Sequence, residues 1–384
     1  MVRRSMKMER KKTSILFLIP QLTTGGAQRQ LVILATGLKH MGFPVNVAVF
    51  HGGGVLEADL KEAKIPIVDL GKRRWGVPFH YFHLIGLLRR EHPNVLYSYL
   101  SLANDWSALV KPWFPSIRII WGIRASRVDL HNHDWQGRLT YRLEARLARF
   151  ANKIICNSYA GLRVSGERGI PSSKLCVIPN GIDVEQFRPL RAHREEFRRE
   201  WKIKKTEKLI GLIARLNPIK DHTTFLQAAA LLARERKDVR FICVGDGSKA
   251  YEARLRKLAG NLDLDNVLIW TGDRQDMQIV YNGLDILALS SYSEGFPNVI
   301  GEAMACGVPC VVTDAGDSAV IVDDTGEVVP VRNPVALKDG MNRMLRRIEM
   351  GKIALSQRNR DRVVKEFSVA IMLNRIVDVL NQKD

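Results

Sequence analysis

The sequence predicts an α/β protein with two facing Rossmann-like domains and a cleft between them. Short, continuous apolar runs such as 14–19 and 209–214 recur in both halves of the chain and alternate with amphipathic stretches. Buried strands of a parallel sheet have this pattern. The length of 384 residues suits two domains of ordinary size, and a turn at Asn180-Gly181 followed by a charged stretch marks a linker. We therefore expect domains at residues 1–188 and 189–365.

The first half is predicted to open with a strand, a glycine loop and a helix. Residues 14–19 are apolar, Gly25 and Gly26 follow, and an amphipathic helix is expected at 28–39. Adjacent glycines let backbone amides approach a ligand closely. The spacing is not that of the dinucleotide-binding fingerprint G-x-G-x-x-G. Later strands of this half are expected at 44–50, 65–70, 95–100, 117–123, 153–157 and 175–178, and later helices at 84–90, 104–111, 136–150 and 160–168.

The second half restarts the alternation of strands and helices. Arg215 and Lys220 follow its first strand, 209–214, and both can reach one diphosphate across a strand-to-helix loop. Asp263-Leu264-Asp265 matches a D-x-D metal motif, but it precedes a strand and is therefore interpreted as a turn, so no metal site is predicted. The other strands are expected at 239–245, 267–270, 284–289, 308–312 and 325–330, and the last helices at 335–350 and 355–383.

Residues 284–312 combine two carboxylates with a helix start. Pro297 suits the first turn of a helix, and the free amides at 296–299 are suited to binding a phosphate. Glu302 lies four residues after Asn298 on the same helical face, among apolar or small residues, where a carboxylate is costly unless it is hydrogen-bonded. Glu294 lies in the preceding loop. The stretch therefore offers a phosphate site between two acceptors of hydroxyl groups, which matches the parts of a nucleotide sugar.

Composition narrows the function classes. The net charge of +19 predicts an anionic partner, but no nucleic-acid module is recognisable, so an acidic membrane surface is the better candidate. No apolar run approaches the length of a transmembrane helix, and the apolar run after the basic N-terminus is too short for a signal peptide. Five cysteines form no even framework and no metal cluster. They are interpreted as free thiols in a reducing cytoplasm.

These motifs together resemble the retaining glycosyltransferases of the GT-B fold, family 4 type. Glu294 and Glu302 resemble the family's E-x7-E signature, GGAQRQL its glycine loop, and Arg215 with Lys220 its G-R-x-x-x-x-K-G element, although Asp221 replaces the glycine. The resemblance implies that Arg215 and Lys220 neutralise the leaving diphosphate, that Glu302 holds ribose and that Glu294 holds the sugar. It also implies a last helix, 366–384, that crosses back to the first domain. The donor-binding set it implies is Gly25, Gly26, Arg215, Lys220, Gly245, Thr271, Gly272, Arg274, Glu294, Gly295, Phe296, Pro297, Asn298, Val299 and Glu302.

The acceptor side departs from the family pattern. Many members carry a histidine near the end of the fourth strand, where this chain has Tyr99. Arg124 then becomes the polar group expected at the neighbouring strand end, and His133 lies further along the chain. The three residues are expected on the acceptor side of the cleft.

The resemblance implies an enzyme that moves a sugar from a nucleotide-diphosphate donor to an oligosaccharide or a polyprenyl-diphosphate-linked acceptor, with no metal and no other cofactor. Cell-surface polysaccharide or glycolipid synthesis would be its setting. A nucleotide-sugar epimerase of the same fold and a non-catalytic nucleotide-sugar-binding protein are the alternatives. The first half concentrates cations and aromatic residues, so we expect a cytoplasmic protein that is peripheral at the inner face of the membrane. Among these residues are Arg73, Arg74, Trp75, Phe79, Phe82, Lys111, Trp113, Arg138, Arg142, Arg146 and Arg149.

Overall fold

The structure is a computed structural model that describes residues 12–71, 77–124 and 143–382. Within these residues the chain forms two parallel sheets, which confirms the predicted fold class. The first sheet contains β1 (Ile15–Ile19), β2 (Val45–Val49), β3 (Ile67–Asp69), β4 (Val95–Tyr99), β5 (Arg118–Ile123), β6 (Lys153–Cys156) and β7 (Leu175–Val177). The second contains β8 (Lys208–Ile213), β9 (Val239–Val244), β10 (Leu268–Gly272), β11 (Ile286–Leu289), β12 (Cys310–Thr313) and β13 (Glu327–Val329).

Helices connect the strands on both faces of each sheet. Those of the first half are α1 (Gly26–His40), α2 (Glu57–Glu62), α3 (Val77–Glu91), α4 (Ser101–Leu109) and α5 (Tyr159–Glu167). Those of the second half are α6 (Arg191–Glu200), α7 (His222–Glu235), α8 (Lys249–Asn261), α9 (Met277–Gly283), α10 (Asn298–Ala305), α11 (Ser318–Val322), α12 (Pro334–Glu366) and α13 (Val369–Asn381). None of these described helices is long and apolar enough to cross a membrane.

The order of the strands predicts one crevice in each sheet. The strand order is β3-β2-β1-β4-β5-β6-β7 in the first sheet and β10-β9-β8-β11-β12-β13 in the second. Strand order therefore reverses between β1 and β4 in the first sheet, and between β8 and β11 in the second. In open parallel sheets, ligands bind outside the carboxyl ends of the strands at this reversal. The loops after β1, β4, β8 and β11 are thus the expected walls of the site.

The last helix packs against the first domain. Met372, Ile376 and Leu380 of α13 are buried in the core that β1 and α1 build. Arg118 of β5 donates hydrogen bonds from its guanidinium to the carbonyls of Val379 (2.8 Å) and Leu380 (3.2 Å), which satisfies carbonyls at the carboxyl end of that helix.

The returning chain also pairs with the linker. The amide of Ile182 donates to the carbonyl of Phe367 at 2.8 Å, and the amide of Val369 donates to the carbonyl of Ile182 at 3.0 Å. The two connections between the domains therefore lie side by side, directly after Gly181. Ser368 then starts α13 by accepting from the amide of Ile371.

Several predicted elements differ from the structure. The helices expected at 335–350 and 355–383 divide differently in the structure. The predicted end at 350 coincides with a kink at Gly351, whose φ of −173° and ψ of 58° are not helical, and helical backbone resumes beyond it up to Glu366. A second break, which was not predicted, lies at Phe367 and Ser368. The helix expected at 136–150 is described only from 143, with helical backbone at 143–147 and a 3-10 turn at Ala148–Phe150. Asp263 lies in a turn with φ of 59°, as predicted.

Candidate active site

The two strand reversals face each other across the cleft. Gly26, the first residue of α1, lies opposite the first turn of α10, since a Cβ atom on Gly26 would come within 3.8 Å of Nδ2 of Asn298. Both helices therefore direct amino-terminal turns towards the same space. Pro297 precedes α10 and supplies no side-chain cap, so the first amides of that helix are available to an anion.

A cation and a carboxylate meet at the reversal of the second sheet. Nζ of Lys220 donates a hydrogen bond to Oε1 of Glu294 at 2.5 Å, with the two side chains 24% and 10% exposed. The hydroxyl of Ser290 donates to the carbonyls of both Lys220 and Asp221 at 2.9 Å, which joins the two loops. Asp221 adopts φ of 47° and caps α7 through Thr224. Asp221 stands where the family pattern has a glycine. Its carboxylate caps α7, which compensates for a left-handed backbone conformation that is unfavourable for residues other than glycine.

Arg215 belongs to the same loop but occupies a different part of it. Its side chain is exposed and lines a cavity of about 420 Å³ together with Leu216, Asp246 and Tyr251. Lys220 points to Glu294 instead. The structure thus places the two predicted cations on one loop, one paired with a carboxylate and the other facing open space.

Glu302 lies on α10, and its carboxylate is held by a buried phenol. The hydroxyl of Tyr281 donates to Oε2 of Glu302 at 2.5 Å. Burial raises the pKa of Glu302, while this hydrogen bond and the positive charge of Arg29, from α1 of the other domain, lower it, and the net shift is upward. The remaining carboxylate oxygen is thus available for a second donor.

Two glycines with positive φ, Gly245 and Gly272, lie at the carboxyl ends of β9 and β10. Gly245 has φ of 129°, and a Cβ atom there would come within 2.2 Å of the carbonyl oxygen of Ala214. Only glycine fits this contact, which lets the amide of Leu216 donate to the carbonyl of Asp246 at 2.7 Å. Gly272 also has positive φ, at 71°.

Arg274 is engaged by carboxylates of its own domain. Its guanidinium contacts Asp276 at 2.7 and 2.8 Å, and Glu200 at 2.5 and 3.1 Å. The hydrogen bonds that Arg274 donates to the carboxylates of Asp276 and Glu200 raise its pKa. The side chain of neighbouring Thr271 donates to the carbonyl of Gly272 at 2.9 Å. The donor-binding roles of Arg274 and Thr271 therefore stay predictions, and Arg274 would have to exchange a carboxylate for a ligand.

The acceptor-side residues form a polar chain that reaches α10. Arg124 donates to the hydroxyl of Tyr99 and, at 3.3 Å, to that of Tyr97, and it covers the ring of Tyr99 at 4.2 Å. It also donates to Oδ1 of Asn180 at 3.2 Å, and Asn180 donates to Oδ1 of Asn298 at 2.8 Å. Burial raises the pKa of both tyrosines, so they stay neutral. His133 lies outside the described residues.

Asp317 joins the domains, and sequence reasoning missed it. Its buried carboxylate accepts from the amides of Tyr159 at 2.7 Å and Ala160 at 2.9 Å, at the start of α5. Its own amide donates to the carbonyl of Gly295 at 2.9 Å. Tyr281 and Asn180 were missed as site residues for the same reason: each meets its partner only through the tertiary fold, and no local pattern marks such a pair.

Among the described residues no group of three or more His, Cys, Asp or Glu side chains could hold a metal ion. The charges that face the cleft in these parts of the chain are instead those of fixed side chains such as Lys220, Glu294 and Glu302.

Two family models match the chain in succession. The model described as Glycosyltransferase Family 4 matches residues 24–186, and the one described as Glycosyl transferases group 1 matches residues 193–354. The putative glycosyltransferase EpsF of Bacillus subtilis is 27% identical over 193 residues, 48% of this chain and 50% of EpsF. The UDP-Gal:alpha-D-GlcNAc-diphosphoundecaprenol alpha-1,3-galactosyltransferase of Escherichia coli is 25% identical over 249 residues, 63% of each protein. The chain thus spans 50% to 63% of the length of these relatives.

Solved structures extend the likeness over almost the whole chain. Anabaena Alr3699/HepE in complex with UDP has a TM-score of 0.85 at 22% identity, covering 96% of this chain and 99% of that one. The same protein in complex with UDP-glucose gives a TM-score of 0.83, also at 22% identity, with 96% and 99% coverage. At this identity the likeness shows the fold. Two matching family models and the shared two-domain fold lead to one conclusion: the chain belongs to the GT-B glycosyltransferases of the family 4 type.

Proposed function

We propose that the protein is a retaining glycosyltransferase that moves a sugar from a nucleotide-diphosphate sugar to a lipid-linked saccharide acceptor. The observation that carries the proposal is the meeting of Lys220, Glu294 and the first turn of α10 at the strand reversal of the second sheet. A cation and free amides suit the diphosphate, and a carboxylate beside them suits sugar hydroxyls. Glu302 lies one helical turn further and suits a ribose.

In the proposed reaction, the bond between the anomeric carbon and the diphosphate oxygen breaks, and negative charge develops on the leaving diphosphate. Lys220, Arg215 and the amides of Asn298 and Val299 stabilise that charge once the donor is bound. Lys220 exchanges its contact with Glu294 for the diphosphate. The carboxylate of Glu294 then accepts hydrogen bonds from the sugar. The acceptor hydroxyl, held on the side of the first domain, attacks the anomeric carbon from the face that the diphosphate leaves, which retains the configuration. Its proton passes to an oxygen of the leaving diphosphate.

The acceptor is proposed to lie against Tyr99 and Arg124. Nε of Arg124 is buried and has no hydrogen-bond partner among the described residues, so the guanidinium retains donor capacity at this wall of the cleft. A phosphate or a sugar hydroxyl can use it. The relatives support the proposed substrate classes: the Alr3699/HepE structures hold UDP and UDP-glucose, and the Escherichia coli relative is named for a diphosphoundecaprenol-linked acceptor.

The test of the reaction is incubation of the protein with individual nucleotide sugars. A transferase releases nucleoside diphosphate slowly without acceptor and faster with one. Conversion of a donor to its epimer without any acceptor would point to an epimerase, and binding without turnover would point to a binding protein. Metal independence is part of the proposal, because fixed cations supply the charge. Activity that is lost in EDTA and restored by manganese would contradict it.

The proposed membrane side is the face around α3 and α4. Phe82, Leu109 and Trp113 are 65%, 48% and 62% exposed, and Tyr81 joins them by donating to the carbonyl of Leu109 at 2.9 Å. Aromatic side chains at a surface are suited to the headgroup layer of a bilayer. Lys111 contributes less than its position in the sequence predicted, because its ammonium donates to the carbonyls of Pro115 and Ile117.

The other cations that the sequence analysis singled out are only partly described. Arg146 and Arg149 are exposed. The basic arm at 1–11 and Arg73, Arg74, Arg138 and Arg142 lie outside the described residues. Each cation near an anionic bilayer contributes about 1 kcal/mol, an attraction that salt screens. We expect flotation with anionic liposomes at low salt and release at high salt. Equal flotation with neutral liposomes, or none at low salt, would contradict membrane binding.

A further inference from the structure

A chain of side-chain hydrogen bonds leads from the residue after β5 to the first residue of α10. NH1 of Arg124 donates to Oδ1 of Asn180 at 3.2 Å, and Nδ2 of Asn180 donates to Oδ1 of Asn298 at 2.8 Å. Asn180 is only 4% exposed, so it is shielded from water. It lies in the linker directly before Gly181, whose amide and carbonyl both bind the buried side chain of Gln30. The linker therefore holds the middle of the chain in place.

The arginine fixes the direction of both amides. A guanidinium only donates hydrogen bonds, so Asn180 must turn its side-chain oxygen towards Arg124. Its NH2 group then faces Asn298, which must in turn offer its own oxygen. Reversing either amide would place a donor against a donor or an acceptor against an acceptor, which is unfavourable where water is excluded. The NH2 group of Asn298 is thereby directed away from Asn180.

This NH2 group of Asn298 faces the cleft. Its Nδ2 would lie 3.8 Å from a Cβ atom on Gly26, the first residue of α1. No described residue accepts a hydrogen bond from this nitrogen, and, unlike Nε of Arg124, it is not buried. The amino-terminal turns of α1 and α10 both face the same space, which favours an anion there. The chain of hydrogen bonds thus ends on an accessible donor beside the proposed position of the diphosphate.

We propose that the side chain of Asn298 donates a hydrogen bond to the diphosphate of the nucleotide sugar, and that Asn180 is the positioning residue that turns this donor towards the cleft. Asn180 acts only through Asn298, while Arg124 sets the polarity of both amides. Both roles rest on the proposed function, which places the diphosphate at the start of α10. The side-chain contact adds to those of the helix amides, and it connects the acceptor wall of the cleft with the donor wall.

The test is calorimetric titration of the full chain at neutral pH with UDP, GDP and ADP. Asn180→Asp keeps the shape of the side chain, but both of its oxygens only accept, so the amide of Asn298 must reverse and turn its oxygen towards the diphosphate. The nucleotide that the wild type binds most tightly should bind this variant about tenfold or more weakly, because the lost hydrogen bond is to a charged group. Asn298→Ala should weaken binding similarly. Asn261→Asp adds the same charge at the exposed carboxyl end of α8 and should bind like the wild type.

A double-mutant cycle separates positioning from added charge. In the Asn298→Ala background the weakening by Asn180→Asp should shrink to about twofold or less, because Arg124 neutralises the introduced charge and the amide on which Asn180 acts is absent. Equal weakening in both backgrounds, or unchanged binding by either single variant, overturns the proposal and leaves the proposed function standing.

A wild type that binds none of the three nucleotides would refute the proposed donor site, and the role of Asn180 with it. Thermal unfolding shows which variants are folded. Asn180→Ala, which leaves the amide of Asn298 without a fixed direction, takes the place of Asn180→Asp in the cycle if the latter does not fold. Equal weakening by Asn180→Ala in both backgrounds would overturn the positioning role in the same way.

Discussion

Replacing Lys220 by alanine removes the charge on which the proposed donor site depends. The ammonium lies 2.5 Å from Oε1 of Glu294, and the lysine side chain as a whole is 24% exposed. At an effective dielectric constant of about 20, two unit charges about 4 Å apart interact by about 4 kcal/mol, and deletion of one preorganised donor typically costs about 100-fold to 1,000-fold in rate. We therefore expect kcat to fall at least about 100-fold. Initial rates against donor concentration separate this effect from a change in KM.

Two variants make the result specific. Lys220→Arg keeps the charge with a different geometry and should retain more activity than Lys220→Ala, although less than the wild type. Lys257→Ala removes an exposed lysine of α8 and should behave like the wild type. Thermal unfolding of each variant checks that the fold is intact. A kcat that Lys220→Ala leaves unchanged would refute the role of this cation.

Further predictions concern the buried acids. Asp285 would have a higher pKa from burial alone, but Arg194, Lys352 and the amide of Leu209 hold it at about 2. A carboxyl whose pKa is lowered by folding stabilises the fold at pH values above its unfolded pKa of about 4. About 2 kcal/mol of the free energy of unfolding should therefore be lost as the pH falls towards 2. Asp285→Asn should lower the free energy of unfolding in urea at pH 7 by about 3 kcal/mol, and equal unfolding midpoints of variant and wild type would contradict this. Burial raises the pKa of Glu302, and the hydrogen bond from Tyr281 lowers it. Tyr281→Phe removes that hydrogen bond, so the pKa of Glu302 should rise and donor affinity should begin to fall at a higher pH than in the wild type. An unchanged pH dependence of donor affinity would count against Glu302 as the ribose ligand. Asp317→Ala removes the two hydrogen bonds to α5 and should raise the KM for the donor while the unfolding midpoint changes little. Unchanged kinetics would show that this contact between the domains is not needed for function.

The sequence predicts the fold because buried parallel strands leave a strong local signal. Runs such as Ile15–Ile19 and Ile286–Leu289 are apolar throughout and buried throughout. Helix ends are harder to predict. The helix end expected at 350 coincides with a kink at Gly351, but helical backbone resumes beyond it up to Glu366, where Leu355 and Val363 are buried. A glycine weakens a helix without necessarily ending it, so tertiary packing decides.

The site is predictable where its parts are close in sequence. Glu294, Asn298 and Glu302 lie on one loop and one helix, so their spacing alone places them together. Lys220 and Glu294 are 74 residues apart, and only the resemblance to a family joined them before the structure showed the contact. Arg274 shows the opposite limit. Its position in the loop after β10 was predicted correctly, but its guanidinium is ion-paired with Glu200 and Asp276. No pattern in the sequence indicates that these carboxylates occupy the group expected to bind the donor.

Asp317 connects the closure of the cleft to the position of Glu294. Gly316 has φ of 60°, and a Cβ atom there would come within 2.3 Å of the carbonyl oxygen of Glu294, so the two loops lie in direct contact. The carboxylate of Asp317 holds the start of α5 in the other domain, and its amide holds Gly295. Hydrogen bonds to a charged group contribute about 1.5–3 kcal/mol each, so the two amides of α5 hold Asp317 more firmly than neutral contacts would. One residue therefore both stabilises the contact between the domains and fixes the loop that carries Glu294.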